Sequence, residues 1–272
     1  MALHDLTLFG DVDKVAVAIA RLREFEPPEG YFLAYSGGKD STVLIELARR
    51  SGVRFDAHYH ATTIDPPELV RFVRQQPDVV IDWPKKPFLS RLVEKGMPLR
   101  QRRWCCAEYK ETGGSGRIVA TGIRAAESAR RSKRRMVEGC LRDKRKSYLH
   151  PIIDWTDADV WEFIRGERLP YCSLYDEGFK RLGCIMCPMA GPRERERARD
   201  RWPKYGDAFR AAFVRLWNKE CVERKSGRSK ALKKWNNGSE MFDWWLGNAA
   251  SPNPAQAELC YDDAVGIYGD GG

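Results

Sequence analysis

In "DVDKVAVAIARLREF" apolar side chains recur every three or four positions, which predicts an opening helix capped by Asp11 and closed by the "PPEG" break. Strand and helix patterns then alternate. "YFLAY" is an apolar run of strand type, and "STVLIELARR" returns to the helical period. "VRFDAHYH", "DVVIDW" and "RIVATG" predict further strands, separated by the helical patterns "PPELVRFVRQ", with proline at its start, and "FLSRLVEKG". Strands separated by helices of this length need crossover connections. The expected class is therefore α/β, a mainly parallel doubly wound sheet with helices on both faces and a C-terminal cysteine-bearing, helical extension.

Beyond residue 150 the pattern changes. "HPIIDWTDADVWEFIRG" predicts a strand-like entry and a helix capped at Thr156 or Asp157, and an irregular loop with cysteines and a basic, tryptophan-containing helical stretch follow. The expected organisation is an α/β domain over residues 1–150, a cysteine-bearing and basic helical region over 151–248, and a loose tail over 249–272, where turn residues and glycines dominate. No internal repeat is visible.

Ligands of such sheets collect at the carboxyl ends of the strands. Three segments fall there: "SGGKDS" after "YFLAY", "TTIDPPE" after "DAHYH", and "GIRAAES" after "RIVAT". They place Thr62, Gly122 and Arg124 beside the first loop, with His60 and Asp65 near the same edge; His60 is expected to be a hydrogen-bonded structural residue, and no general base is assigned. The first loop has a physical reading of its own. A helix start offers unpaired N–H groups and the positive end of the dipole, and Gly37 and Gly38 let an anion approach that backbone closely, so Ser36, Gly37, Gly38, Lys39 and Ser41 are expected to hold phosphate. The commonest nucleotide loop, G-x-x-x-x-G-K-[ST], is excluded because the upstream glycine it requires is missing.

Composition sharpens this. The chain has 272 residues and a formal charge of +9, unevenly placed: residues 100–150 carry fifteen Lys or Arg against five acids, and residues 193–235 carry fifteen against six. Two basic blocks on an otherwise acidic chain point to a polyanionic partner, nucleic acid first. The second block begins "RERERARDRW" with acids interleaved and equally describes a solvated helical face. No apolar run approaches the ~18 residues of a membrane span and no leader pattern stands out, so a cytoplasmic protein is expected. Eight cysteines in that setting favour metal or redox chemistry over disulfides.

"SGGKDS" after a hydrophobic strand resembles the loop of the PP-loop ATP pyrophosphatases, which split ATP between its α and β phosphates. That resemblance implies ATP at Ser36–Ser41, Lys39 at the β and γ phosphates of the leaving pyrophosphate, and Asp40 as an orienting group for Mg²⁺. The blocks "TTIDPPE", "TGIRAAESARRSK", "HPIIDWTDADVW" and "LPYCSLYDEGFKRLGCIMCP" are similar, in this order, to those of the 3′-phosphoadenosine-5′-phosphosulfate reductase superfamily over about residues 30–190. This implies that Arg124, Arg130, Arg131 and Lys133 hold substrate phosphate or sulfate. Cys105 and Cys106 together with Cys184 and Cys187 resemble the iron–sulfur branch of that superfamily, implying one [4Fe-4S] cluster; structural zinc is the alternative, and Cys172 is a spare ligand candidate.

Two departures from the assimilatory reductases matter. Those enzymes have lost the loop lysine, whereas Lys39 remains, and they end in a Glu-Cys-Gly-x-His tail, whereas this chain has only Cys260 in "AELCYDD". An intact pyrophosphatase loop with four clustered cysteines resembles the ATP pyrophosphatase subunits of bacterial DNA phosphorothioation systems. This implies adenylation of a nucleic-acid oxygen, a DNA backbone phosphate first, for sulfur delivered by a cysteine desulfurase. The alternatives are an adenylyl sulfate or phosphoadenylyl sulfate reductase using an external thiol, a tRNA thiolation enzyme, and a non-catalytic zinc-containing nucleic-acid-binding protein.

Overall fold

The computed structural model describes residues 2–7, 10–225 and 235–247. The expected loose tail and Cys260 lie outside the described residues. The chain divides into two compact units, the first formed by Met1–Ala61, Asp65–Trp83 and Thr112–Gly183, the second by Thr62–Ile64, Pro84–Glu111 and Cys184–Gly272. The chain therefore does not divide at residue 150.

The first unit opens with an antiparallel hairpin, β1 (His4–Thr7) and β2 (Gly10–Asp13), followed by helix α1 (Lys14–Glu24). The hairpin corrects the expected start: Asp11 pairs with Leu6 across it. Asp13 caps the helix instead, its carboxylate accepting the Val15 N–H at 2.9 Å. A six-stranded sheet follows, built from β3 (Tyr31–Ala34), β4 (Phe55–His60), β5 (Val79–Asp82), β6 (Ile118–Ala120), β7 (Val137–Gly139) and β8 (Ser147–Leu149) in the order β5-β4-β3-β6-β8-β7. All neighbours run parallel except the edge strand β7, which is antiparallel to β8.

Helix α2 (Lys39–Ser51) follows β3 and buries Val43, Leu44, Ile45, Leu47 and Ala48, the apolar period read from the sequence. Gly52 ends it in the left-handed region at φ 74°. Helix α3 (Pro67–Arg74) follows β4 and buries Leu69, Phe72 and Val73. The "HPIIDW" segment is a turn rather than a strand, because Ile153 and Trp155 N–H groups bond back to the His150 and Ile152 carbonyls at 3.2 and 3.1 Å; the strand is β8, one step upstream.

The chain meets the sheet first at β3, then moves to β4 and β5 on one side and crosses back to β6 on the other. The loops after β3 and β6 thus flank the point where strand order reverses, the crevice where open α/β sheets hold ligands.

The second unit contains α4 (Phe88–Lys95), α5 (Trp104–Tyr109), α7 (Pro192–Arg201), α8 (Pro203–Lys225) and α9 (Gly238–Leu246), while α6 (Asp157–Gly166) belongs to the first. Aromatic rings hold it together: Phe209 stacks on Trp245 at 5.7 Å, and Phe213 meets Phe242 edge-on at 5.5 Å. The Trp245 indole N–H is satisfied by the Pro98 carbonyl at 2.8 Å. No helix among the described residues is long and apolar enough to cross a membrane.

Candidate functional site

The loop after β3 has a backbone that only glycine tolerates. Gly37 sits at φ 70°, and a Cβ there would come within 2.6 Å of the Leu69 side chain. Gly122, after β6, is equally constrained, since its Cβ would lie 2.7 Å from the Asp40 carbonyl oxygen. The two loops therefore approach backbone to backbone. Ser41 Oγ accepts the Ser36 N–H at 3.2 Å and donates to the Gly38 carbonyl at 2.9 Å, closing the turn. The first intrahelical bond runs from Thr42 N–H to the Gly38 carbonyl, so the Asp40 and Ser41 N–H groups precede it and are available to an anion.

A polar pocket of about 200 Å³ opens here, lined by Ser36, Gly38, Lys39, Asp40, Ser41, Thr121, Gly122, Glu127, Arg131, Tyr175 and Arg181 among others. Of the residues expected at the nucleotide, Ser36, Gly38, Lys39, Asp40, Ser41 and Gly122 line it, and Gly37 shapes the turn. Thr62 does not line it; it is buried in the second unit, where its hydroxyl accepts the Ile64 N–H at 3.4 Å. Of the residues expected at substrate phosphate or sulfate, only Arg131 lines the pocket, and Arg130 and Lys133 are exposed outside it.

Arg124 also corrects the expectation. Its side chain is 2% exposed, with Nε on Asp40 at 2.6 Å, one terminal nitrogen on Asp157 at 3.0 Å and the other on the Trp155 carbonyl at 3.3 Å. Its fork is filled by protein acceptors, so it is a strut that fixes α2 against the start of α6 rather than a ligand for substrate. Lys39 completes the network, its Nζ 3.0 Å from Asp157 and 3.5 Å from Asp40. Burial works to raise the Asp157 carboxyl, but Lys39 and Arg124 outweigh it and hold it below the ordinary carboxylate range. Asp40, expected to orient Mg²⁺, has one oxygen on Arg124 and the other facing Lys39, so both cations already balance its charge.

Four contributors were not singled out from the sequence: Asp157 was legible only as a helix cap, and Tyr175, Arg181 and Glu127 only as members of longer blocks. Glu127 pairs with Arg131. Burial, then the nearby Arg181 and the further Arg134 and Arg124 guanidiniums, hold Arg131 below its ordinary value against the pull of Asp40, so positive charge is crowded at this wall and an arriving anion relieves it. Tyr175 presses on the loop itself. Its hydroxyl oxygen accepts the Lys39 N–H at 2.9 Å, the position a phosphate oxygen takes at a helix start, and its ring meets Trp161 edge-on at 5.1 Å. Tyr175→Phe keeps the ring and frees that N–H, so inorganic phosphate is expected to bind a few-fold tighter, about 1 kcal/mol, by calorimetry. Unchanged or weaker binding would show that the hydroxyl does not compete for the anion's donor.

The second unit holds the four cysteines expected at a metal. Cys105 and Cys106 sit in the first turn of α5, and Cys184 to Cys187 form a tight turn closed by the Cys187 N–H on the Cys184 carbonyl at 3.2 Å. The Cys105 thiol donates to Cys106 and is pushed up by that bond, by burial, and by the charges of Cys106, Cys184 and Cys187. The same hydrogen bond, with Lys110 and Arg103 nearby, outweighs burial and lowers Cys106 to about 6. Among the described residues no three His, Cys, Asp or Glu side chains are arranged to hold a metal ion. Cys172 is buried in the first unit, where burial raises its thiol. His60 is held as expected of a structural residue, one ring nitrogen 3.3 Å from Asp82 and the other 3.3 Å from Thr112.

The model of the phosphoadenosine phosphosulfate reductase domain matches residues 30–190, the whole of β3 to the end of the cysteine turn. The chain belongs to this family. An adenosine 5′-phosphosulfate reductase of Oceanobacillus iheyensis is 31% identical over 57% of this chain and 69% of its own length. A probable FAD synthase of Caenorhabditis elegans is 31% identical over 61% of this chain and 31% of its own. Two Methanocaldococcus jannaschii proteins, 29% and 31% identical, share 63% of this chain, which spans only 39% and 44% of their lengths. In fold the chain is similar to the phosphoadenylyl-sulfate reductase of Candida auris in its phosphate complex, with a TM-score of 0.50 at 19% identity over 62% of this chain and 88% of that one. Members of the family act as enzymes on nucleotides, and the described pocket gathers a helix start with Lys39, Arg131 and Arg181.

Proposed function

We propose that this chain is an AMP-releasing enzyme that seats the phosphate of adenylyl sulfate or phosphoadenylyl sulfate on the Ser36–Ser41 loop and reduces the sulfonucleotide with an external thiol. The supporting observation is the pocket: a helix start, Lys39, Arg131 and Arg181 converge where strand order reverses, in a family whose relatives include named adenosine 5′-phosphosulfate reductases. A thiol supplied by a partner attacks sulfur, AMP (or its 3′-phosphorylated form) leaves, and a second thiol releases sulfite as a disulfide forms.

A second reading is favoured by Lys39, which the assimilatory reductases lack. Here the loop holds ATP with its Mg²⁺, Lys39 leaves Asp157 for the departing pyrophosphate, and the adenylyl group passes to an acceptor oxygen. The acceptor expected from the sequence is a DNA backbone phosphate, with sulfur supplied by a cysteine desulfurase. By their names, the Oceanobacillus relative acts on adenosine 5′-phosphosulfate and the Caenorhabditis one makes FAD, so reduction of a sulfonucleotide stands first.

One anaerobic experiment separates the two. With adenylyl sulfate and thioredoxin or dithiothreitol, the first reading expects AMP and sulfite; with ATP and nucleic acid, the second expects AMP and pyrophosphate. ADP and orthophosphate from ATP, without sulfite from either sulfonucleotide, would defeat both.

In either reaction we propose that Cys105, Cys106, Cys184 and Cys187 hold a [4Fe-4S] cluster. The donor set is thiol only, which suits iron–sulfur or zinc, and the adjacent Cys105 and Cys106 reach two corners of a cubane more readily than one small tetrahedral ion. The cluster would supply positive, redox-active iron beside the thiolates. Anaerobic preparations are expected to be brown, with about four iron and four acid-labile sulfide per chain; Cys184→Ser is expected to lose both, and one zinc with no sulfide would refute the assignment.

A further inference from the structure

The hairpin β7–β8 closes one edge of the six-stranded sheet, and the chain enters it from the segment that carries Arg131. Residues 130–146 hold nine Lys or Arg against two acids, Glu138 and Asp143. Both acids are already engaged. Glu138 meets Arg134 at 2.5 Å and the buried His150 at 3.1 Å, and Asp143 accepts from the Ser115 hydroxyl at 2.5 Å and the Arg145 N–H at 3.1 Å. The positive excess therefore has no internal balance. Arg130, Lys133, Arg135 and Lys144 are exposed, and among the described residues none of them has an acidic partner.

The other basic block interleaves more acids with its cations, although Arg193, Lys204 and Arg215 are exposed there without an acidic partner among the described residues. Along α7 and α8, Arg199 pairs with Asp200 at 2.8 Å, Arg210 with Asp243 at 2.8 Å, and Lys219 with Glu223 at 3.6 Å. Mixed signs are the ordinary arrangement of a surface, and exposed cations without acidic partners, as Arg130, Lys133, Arg135 and Lys144 are among the described residues, repel one another for no folding gain. At the hairpin turn Leu141 is fully exposed, at 102%, and Val137 on β7 is 39% exposed, so two apolar side chains sit among the cations, Leu141 without a packing role.

We propose that this edge, from Arg130 to Lys146, is a binding surface for a nucleic-acid backbone, with Arg130, Lys133, Arg135 and Lys144 on phosphates and Leu141 at the tip against sugar or base. An acidic protein is the less suited partner. Protein interfaces need an apolar centre, and two isolated side chains do not make one, while β7 is only three residues long and offers little backbone for strand addition. Phosphate contacts need only exposed Arg and Lys, and an apolar wedge among them is a recurrent feature of nucleic-acid binders. The proposal does not rest on sulfonucleotide reduction, which its failure leaves untouched, whereas a chain that binds no DNA would also count against the second reading with its DNA acceptor.

The test uses the full chain and fluorescein-labelled 20-nucleotide DNA, single- and double-stranded, with anisotropy read between 50 and 200 mM salt. Four phosphate contacts on a duplex predict an affinity loss of about a hundredfold over that range. The variant R130Q/K133Q/R135Q/K144Q, checked by circular dichroism to unfold at the parent's temperature, is expected to lose most of the affinity and to show a salt dependence of only a few-fold. The surface assignment is overturned if the parent binds neither DNA at 50 mM salt, if the variant binds as the parent does, or if poly-L-glutamate of matched charge displaces the DNA on equal terms, the behaviour of a site for acidic polypeptides.

Discussion

Lys39→Ala is expected to lower kcat/KM for the nucleotide, read as AMP released, by about 10²–10³-fold, the usual loss when one charged donor is removed from a phosphate or oxyanion site. Lys39 lines the pocket and is 6% exposed, its ammonium 3.0 Å from Asp157 and 3.5 Å from Asp40. Deleting it leaves Asp157, which is 65% exposed and stays hydrated, so the fold is expected to survive. The variant should retain the parent's circular dichroism while losing turnover. A variant that turned over at the parent's rate would remove the loop from the reaction altogether, whichever nucleotide is the substrate.

Arg124→Leu is expected to act on stability first. It strips the buried guanidinium from Asp40, Asp157 and the Trp155 carbonyl at once, and breaking a buried pair from one side leaves its partner charge uncompensated. Because Asp157 remains mostly hydrated, the lower end of the usual range applies, about 3 kcal/mol, measured as a fall in the urea midpoint with unchanged slope. Arg124→Lys is expected to fall between, since an ammonium cannot span three acceptors that a planar fork reaches. The pH dependence carries a sign. Asp157 titrates lower in the fold than in the unfolded chain, so its contribution is complete above its ordinary value of about 3.9 and disappears as pH falls through the lowered folded value. In Arg124→Leu that acid-side loss should shrink, because one of the two cations that lower Asp157 has gone. An acid-unfolding profile parallel to the parent's would show that Arg124 does not hold Asp157.

Much of the site was legible because it is local. The spacing of Ser36, Gly37, Gly38, Lys39 and Ser41 between a strand and a helix start dictates which N–H groups are left without helical partners, whatever the rest of the chain does. The same locality explains the parallel sheet, since a helix between two strands admits only a crossover. Local pattern also misled at the chain start, where Asp11 and Asp13 are equally good caps in sequence and only the pairing of β1 with β2 decides between them. Thr62 failed for a related reason: it follows a strand of the sheet in sequence, but the chain leaves the first unit for three residues there.

What the amino-acid sequence determined by itself is the loop, the strand and helix alternation around it, and the two cysteine pairs, all properties of neighbours a few positions apart. Which arginine supports and which faces the pocket was decided by tertiary structure alone. Arg124 and Arg131 stand seven positions apart in one basic run, and nothing in that run separates them. Their roles diverge because α6 brings Asp157 and the Trp155 carbonyl against Arg124, while Tyr175 and Arg181 arrive at the pocket from more than forty residues downstream of Arg131. A charge's function depends on what neutralises it, and its partners here come from distant parts of the chain.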